Sequence, residues 1–120
     1  MTRTLVVKAT TGTDGAERCA QAFTVAAVAV AAGIEVSLWL TGESAWLALP
    51  GRAGAFELPE SAPLDELLAA VLEGGTVTVC TQCAARRRIT PDDVLPGVRI
   101  AGSTAFVAEI MADGAQAVVY

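Results

Sequence analysis

Apolar positions along the chain alternate between two spacings. Leu5, Val6 and Val7 form a short β-branched run between polar residues, the pattern of a strand buried on both faces. Thr10, Thr11, Gly12 and Thr13 follow as a turn, and Asp14 with Glu17 three residues later has capping-box spacing. From 15 to about 32 the period becomes helical: Cys19, Phe23, Ala26, Ala27 and Val30 share one face, and Val25 and Val28 make the second half apolar nearly all round. Gly33 stops this helix, 34–40 reads as the second strand, and Thr41, Gly42, Glu43 and Ser44 form the loop at its carboxyl end. A short helix is expected over 44–49, followed by a loose segment over 50–55, punctuated by proline and glycine. Leu64, Leu67, Leu68, Val71 and Leu72 fit the i, i+3, i+4, i+7, i+8 template throughout, between Pro63 and the pair Gly74 and Gly75. A third strand spans 76–80 and runs into an alanine- and arginine-rich helix start. Thr90, Pro91, Asp92 and Asp93 predict a capped single turn, 98–101 a brief strand, and 117–120 a last one. The helix between those two strands presents Phe106, Val107, Ile110 and Met111.

Five strands alternating with helices predict a parallel sheet with helices on both faces, in one α/β domain over 1–120. Hydrophobic residues make up 53% of the chain against 18% charged, and much of the excess is alanine and valine. That balance predicts a dense core plus apolar surface covered by another copy, a homo-oligomer. A net charge of -5 argues against nucleic acid as a partner, because the phosphate backbone demands a basic footprint. The longest apolar run, 22–34, is interrupted by Thr24 and too short to span a bilayer. The N-terminal stretch lacks a signal-peptide pattern, so the expected location is the cytoplasm, with no membrane association.

The absence of histidine changes the picture most, since it removes every Cys-His or Ser-His nucleophile pair and every histidine metal ligand within one chain. Thiol, carboxylate and backbone chemistry remain. Cys80 closes the third strand and Cys83 follows in a C-x-x-C spacing, with Arg86, Arg87 and Arg88 next. Ligands of open α/β sheets bind at the carboxyl ends of strands, and a thiol at a helix start beside cations favours its thiolate. Cys80 and Cys83 are therefore the candidate catalytic residues, with Arg86 and Arg87 as supports for the anion. Thr10, Gly12, Thr41 and Gly42 are candidates to line the pocket. The readings left open are a persulfide carried on Cys80, a dithiol cycling with its disulfide, and two cysteines buried as ordinary core. No metal or cofactor is expected, since a zinc site would need ligands from two chains. Cys19 reads as core, and Trp46, Leu49 and Phe56 as core or subunit contact.

The order and spacing of these pieces resemble the DsrE/DsrF-like family over nearly the whole chain. Gly12, Thr13 and Asp14 open an alanine-rich helix, and Gly33, Ile34, Glu35 and Val36 lead into the second strand. Thr41, Gly42 and Glu43 follow that strand, and Cys80 precedes Ala84, Ala85, Arg86 and Arg87. The stretch from Ser103 to Met111 and the terminal Ala117, Val118, Val119 and Tyr120 complete the match. The resemblance implies a three-layer α/β/α sandwich with a five-stranded parallel sheet, and assembly into homo-oligomers, often trimers or hexamers. It also implies a sulfur-relay role: a persulfide at the position of Cys80, received from a donor protein and passed to an acceptor protein thiol. On the carrier reading of these residues, Cys83 resolves or modulates that persulfide. The sulfur-relay pattern commonly has Arg-Arg-Gly where this chain has three arginines and then Ile89, so the turn glycine is missing. The C-x-x-C itself is a feature of the YchN-like side of the family.

Overall fold

A computed structural model describes residues 3–120; the first two positions of the expected domain lie outside the described residues. Strand β1 (Thr4–Ala9) leads through a 3-10 turn (Thr13–Gly15) into helix α1 (Ala16–Ala31). Strand β2 (Glu35–Leu40) is followed by a longer 3-10 segment (Gly42–Ala48) and helix α2 (Leu64–Gly74). Strand β3 (Thr76–Cys80) passes directly into α3 (Thr81–Arg86), and β4 (Val98–Ala101), α4 (Ser103–Ile110) and β5 (Ala115–Val119) complete the chain.

The five strands are parallel in the order β4-β3-β2-β1-β5. Each step from β1 to β4 moves one strand in the same direction, and α4 then carries the chain back across the sheet to β5. Right-handed crossovers put helices made on the outward steps on one face and the return helix on the other. The packing agrees. Val7, Ala9, Val36, Leu38, Leu40, Val77 and Val79 join one core with Phe23 and Ala26 of α1, Leu64, Leu68 and Val71 of α2, and Cys83 and Ala84 of α3. Alternation along the strands turns Lys8, Ser37, Trp39, Thr78, Cys80 and Arg99 to the opposite face.

Only α4 covers that second face among the described helices, and a polar cluster fixes it there. Phe106 meets the buried Trp39 edge-on at 5.2 Å, and Glu109 accepts hydrogen bonds from Ser37 Oγ and, at 3.0 Å, from Trp39 Nε1. Arg99 pairs with Glu109 and donates from Nε to Thr78 Oγ1 at 2.6 Å. Burial opposes the Glu109 charge, but Ser37, Trp39 and Arg99 outweigh it and hold the carboxyl below its ordinary pKa.

The expected elements are present, with differences at their ends. The second short helix starts at Gly42 and is 3-10 in form, and the last strand spans Ala115–Val119. The capping box at Asp14 does not form. A 3-10 turn intervenes, so Asp14 Oδ1 accepts from the Gly12 N–H at 2.8 Å and α1 begins behind Gly15 without a side-chain cap. The 90–93 segment is a turn closed by Asp93, whose Oδ2 accepts from the Thr90 N–H at 2.7 Å and from its hydroxyl at 2.9 Å.

Candidate thiol site

The carboxyl ends of β1, β2 and β3 meet at one edge of the molecule, and three short segments converge there. Thr41 Oγ1 donates to the Ala9 carbonyl at 2.8 Å, and Ser44 Oγ lies 3.1 Å from the same oxygen and 2.6 Å from the Thr41 carbonyl. These bonds seat the turn after β2 on the end of β1. Gly42 has φ of +55°, and a Cβ there would lie 2.5 Å from the Thr10 carbonyl oxygen; at Gly12 it would lie 2.6 Å from the Glu43 carbonyl oxygen. Only glycine lets the two backbones approach so closely. The result is an N–H with a fixed aim: Gly42 donates to Cys83 Sγ at 3.2 Å.

The expected pocket residues thus have different parts. Gly12, Thr41 and Gly42 form the backbone contact that reaches Cys83, while Thr10 turns toward the end of the chain, its hydroxyl donating to the Tyr120 carbonyl at 2.6 Å. A surface groove of about 660 Å³ lies elsewhere, lined by α1, the 58–62 segment and Tyr120.

Cys80 is the last residue of β3 and the residue before α3, half-buried on the face that also carries Lys8. The N–H groups of Gln82 and Cys83 are turned toward its sulfur without closing a regular helix cap. Burial opposes ionisation of Cys80, but the Cys83 and Gln82 N–H groups, the Cys83 thiol and the Lys8 ammonium outweigh it. They hold the Cys80 thiol below its ordinary pKa. Cys83 is buried, three residues on, with its sulfur beside that of Cys80. Cys19 contrasts with both. It is fully buried on the inner face of α1, where burial and then the charge of Asp14 push its thiol up to about 12.

The arginines do not reach the thiols as a group. Arg87 Nε donates to Glu43 at 2.9 Å, its Nη2 pairs with the same carboxylate at 2.8 Å, and its Nη1 donates to the Cys83 carbonyl at 3.1 Å. It clamps α3 to the segment after β2. Arg86 is exposed at the end of α3. The cation that acts on Cys80 is Lys8, which lies over the Phe106 ring at 4.9 Å. Lys8 was not singled out in the sequence; a lone lysine inside an apolar strand is its only local signal. Glu43, the partner of Arg87, reads in the sequence as a loop residue.

The turn that ends α3 takes a glycine-type conformation without a glycine. Arg88 adopts a left-handed conformation with φ of +56°. Its N–H bonds the Ala85 carbonyl at 3.2 Å, and the Ile89 N–H bonds the Ala84 carbonyl at 2.9 Å. These are the two bonds of a Schellman ending, a position where glycine is ordinarily placed. The family model for DsrE/DsrF-like proteins matches residues 4–120.

The chain belongs to the DsrE/DsrF-like family. Its fold is shared with the YchN protein of E. coli, at 17% identity and a TM-score of 0.75, over 98% of this chain and all of that one. A protein of unknown function from Methanobacterium thermoautotrophicum, MTH1491, matches at 11% identity and a TM-score of 0.68 over the whole of both chains. A conserved protein of unknown function from Bacteroides thetaiotaomicron, BT1422, matches at 17% identity and 0.59, over 98% of this chain and 94% of that one. No match was found among curated proteins. DsrE/DsrF-like membership is consistent with sulfur relay at the level of the family. Among the described residues, no group of three or more histidine, cysteine, aspartate or glutamate side chains is placed to hold a metal ion. No helix among them is long and apolar enough to cross a membrane.

Proposed function

We propose that this DsrE/DsrF-like chain is a sulfur carrier in which Cys80 accepts sulfane sulfur as a persulfide and hands it to a partner thiol. One observation carries the reading: Cys80 combines partial exposure at a strand's carboxyl end with N–H groups and a lysine that favour its thiolate. The Cys80 thiolate attacks the terminal sulfur of a donor persulfide, the donor S–S bond breaks, and the donor leaves as a thiolate. An acceptor thiolate then takes the terminal sulfur in the same way, returning Cys80 as thiolate, so no net oxidation occurs. The same N–H groups and lysine stabilise the carried persulfide anion. The partners are donor and acceptor proteins, the chain assembles with copies of itself, and it acts in the cytoplasm, where thiols stay reduced.

Incubation with inorganic polysulfide followed by intact mass spectrometry tests this. Wild type gains one sulfur atom and Cys80→Ser gains none; a persulfide that survives Cys80→Ser would sink the assignment. A second reading, a thiol-disulfide oxidoreductase, is favoured by the Cys83 sulfur beside that of Cys80. It predicts reversible oxidation of the pair by a protein disulfide, abolished by Cys83→Ser, without any bound sulfur.

A further inference from the structure

The Cys83 sulfur forms no bond to the transferred sulfur in the carrier cycle, yet the residue is tied down at several points. Only 9% of it is exposed. Its sulfur takes the Gly42 N–H at 3.2 Å, its carbonyl takes Arg87 Nη1 at 3.1 Å, and its own N–H is turned to the Cys80 sulfur. The bond from Gly42 exists because two glycines let the segments after β1 and β2 touch. Residues three apart at a helix start stand side by side, which is the spacing that lets a C-x-x-C pair close. An ordinary core cysteine needs none of these attachments.

We propose that Cys83 discharges the Cys80 persulfide when no acceptor takes it, closing a Cys80–Cys83 disulfide and releasing the terminal sulfur as hydrogen sulfide. This rests on the reading of Cys80 as carrier. The Cys83 sulfur attacks Cys80 Sγ, a bond forms between them, and the bond from Cys80 Sγ to the terminal sulfur breaks. The terminal sulfur leaves with the Cys83 proton and its own. Sulfane sulfur is reduced to sulfide while two cysteine sulfurs are oxidised to the disulfide, so the bound sulfur itself is the oxidant. The disulfide takes Cys80 out of service. A dithiol reductant restores both thiols with two electrons and two protons, and is itself oxidised to a disulfide. The carrier therefore limits how long it holds reactive sulfur, and an acceptor must compete with a thiol already in place. Cys19 is excluded from this part by its full burial on the core face of α1.

The experiment loads wild type, Cys83→Ser and Cys83→Ala with inorganic polysulfide, removes the excess by desalting, and follows intact mass and free sulfide without acceptor. Wild type loses the added sulfur and two hydrogens and releases one equivalent of sulfide. Both Cys83 variants keep the persulfide for at least about tenfold longer. Peptide mapping of discharged wild type finds the Cys80–Cys83 disulfide, a measurement that needs no variant to fold. Wild type that holds its persulfide as long as the variants overturns the proposal and leaves the carrier reading standing. So does a disulfide mapped to Cys19. Cys83→Ser that never gains sulfur, with wild type that neither gains sulfur nor releases sulfide, overturns both.

Discussion

At the scale of the residue, reactivity is set by what surrounds each sulfur. Cys19, Cys80 and Cys83 are all reduced, yet one is held protonated by the core and another is pushed toward thiolate. Lys8 is the only side-chain cation with a part in that difference. It sits on β1, two strands from β3 but on the same face, so its effect acts through space across the sheet. A lowered pKa means that Cys80 reacts with iodoacetamide at lower pH than a free thiol, its rate rising with pH and levelling once the thiolate is complete. Lys8→Met removes a charge that favours the thiolate, so the midpoint moves up. A partly exposed charge pair contributes roughly 0.5–1 kcal/mol, or about two- to fivefold in rate near neutral pH. A pH profile of alkylation, read by peptide mass at Cys80, checks this; an unchanged midpoint would remove Lys8 from the site.

At the scale of the element, the strands and long helices were legible because their burial is periodic. The leucines of α2 face one core, and β3 is apolar because its Val77 and Val79 are buried beneath helices on one side while Thr78 is buried by Arg99 on the other. The C-x-x-C was legible too, since a strand end and a helix start are both written locally. The clamp of Arg87 on Glu43 and the reach of Gly42 to Cys83 were not, because each joins residues more than 40 apart in sequence. Asp14 failed as a cap because it lies inside the 3-10 turn that precedes α1. The lost turn glycine is the instructive case. Sequence leaves either Arg88 or Ile89 at the place of the relay pattern's glycine, and it is Arg88 whose backbone takes the left-handed turn. A residue with a Cβ in that region costs roughly 1 kcal/mol more than glycine. Arg88→Gly should therefore stabilise the fold by about 0.5–1 kcal/mol, after the added freedom of the unfolded chain is counted. For a domain of this size that is a rise of about 2–6 °C in Tm. Calorimetry reads it, and a lower Tm would mean that Arg88 makes a compensating contact.

At the scale of the molecule, the two faces of the sheet are unequally covered. Three helices build the core on one side, while a single short helix with no buried residue covers the other. On and beside that helix Val107 is 52% exposed, Met111 76% and, at the edge strand β5, Val119 63%. Apolar side chains left open in one neighbourhood mark a surface that another chain covers. The chain's own high apolar content makes a further copy the expected partner. Cys80 and Lys8 look out on this same face, so assembly would border the thiol site and restrict which acceptors reach it. Light scattering during size-exclusion chromatography should find wild type as a homo-oligomer. Val107→Glu would bury an unpaired carboxylate on assembly, at a cost of several kcal/mol, enough to weaken association by at least about a hundredfold. Val28→Glu, on the helix layer behind the sheet at a position 62% exposed, serves as the control and should leave the assembly intact. A monomeric wild type at high concentration would rule out self-association. Dissociation by Val28→Glu alone would move the interface to the α1 side and leave the thiol face open to acceptors.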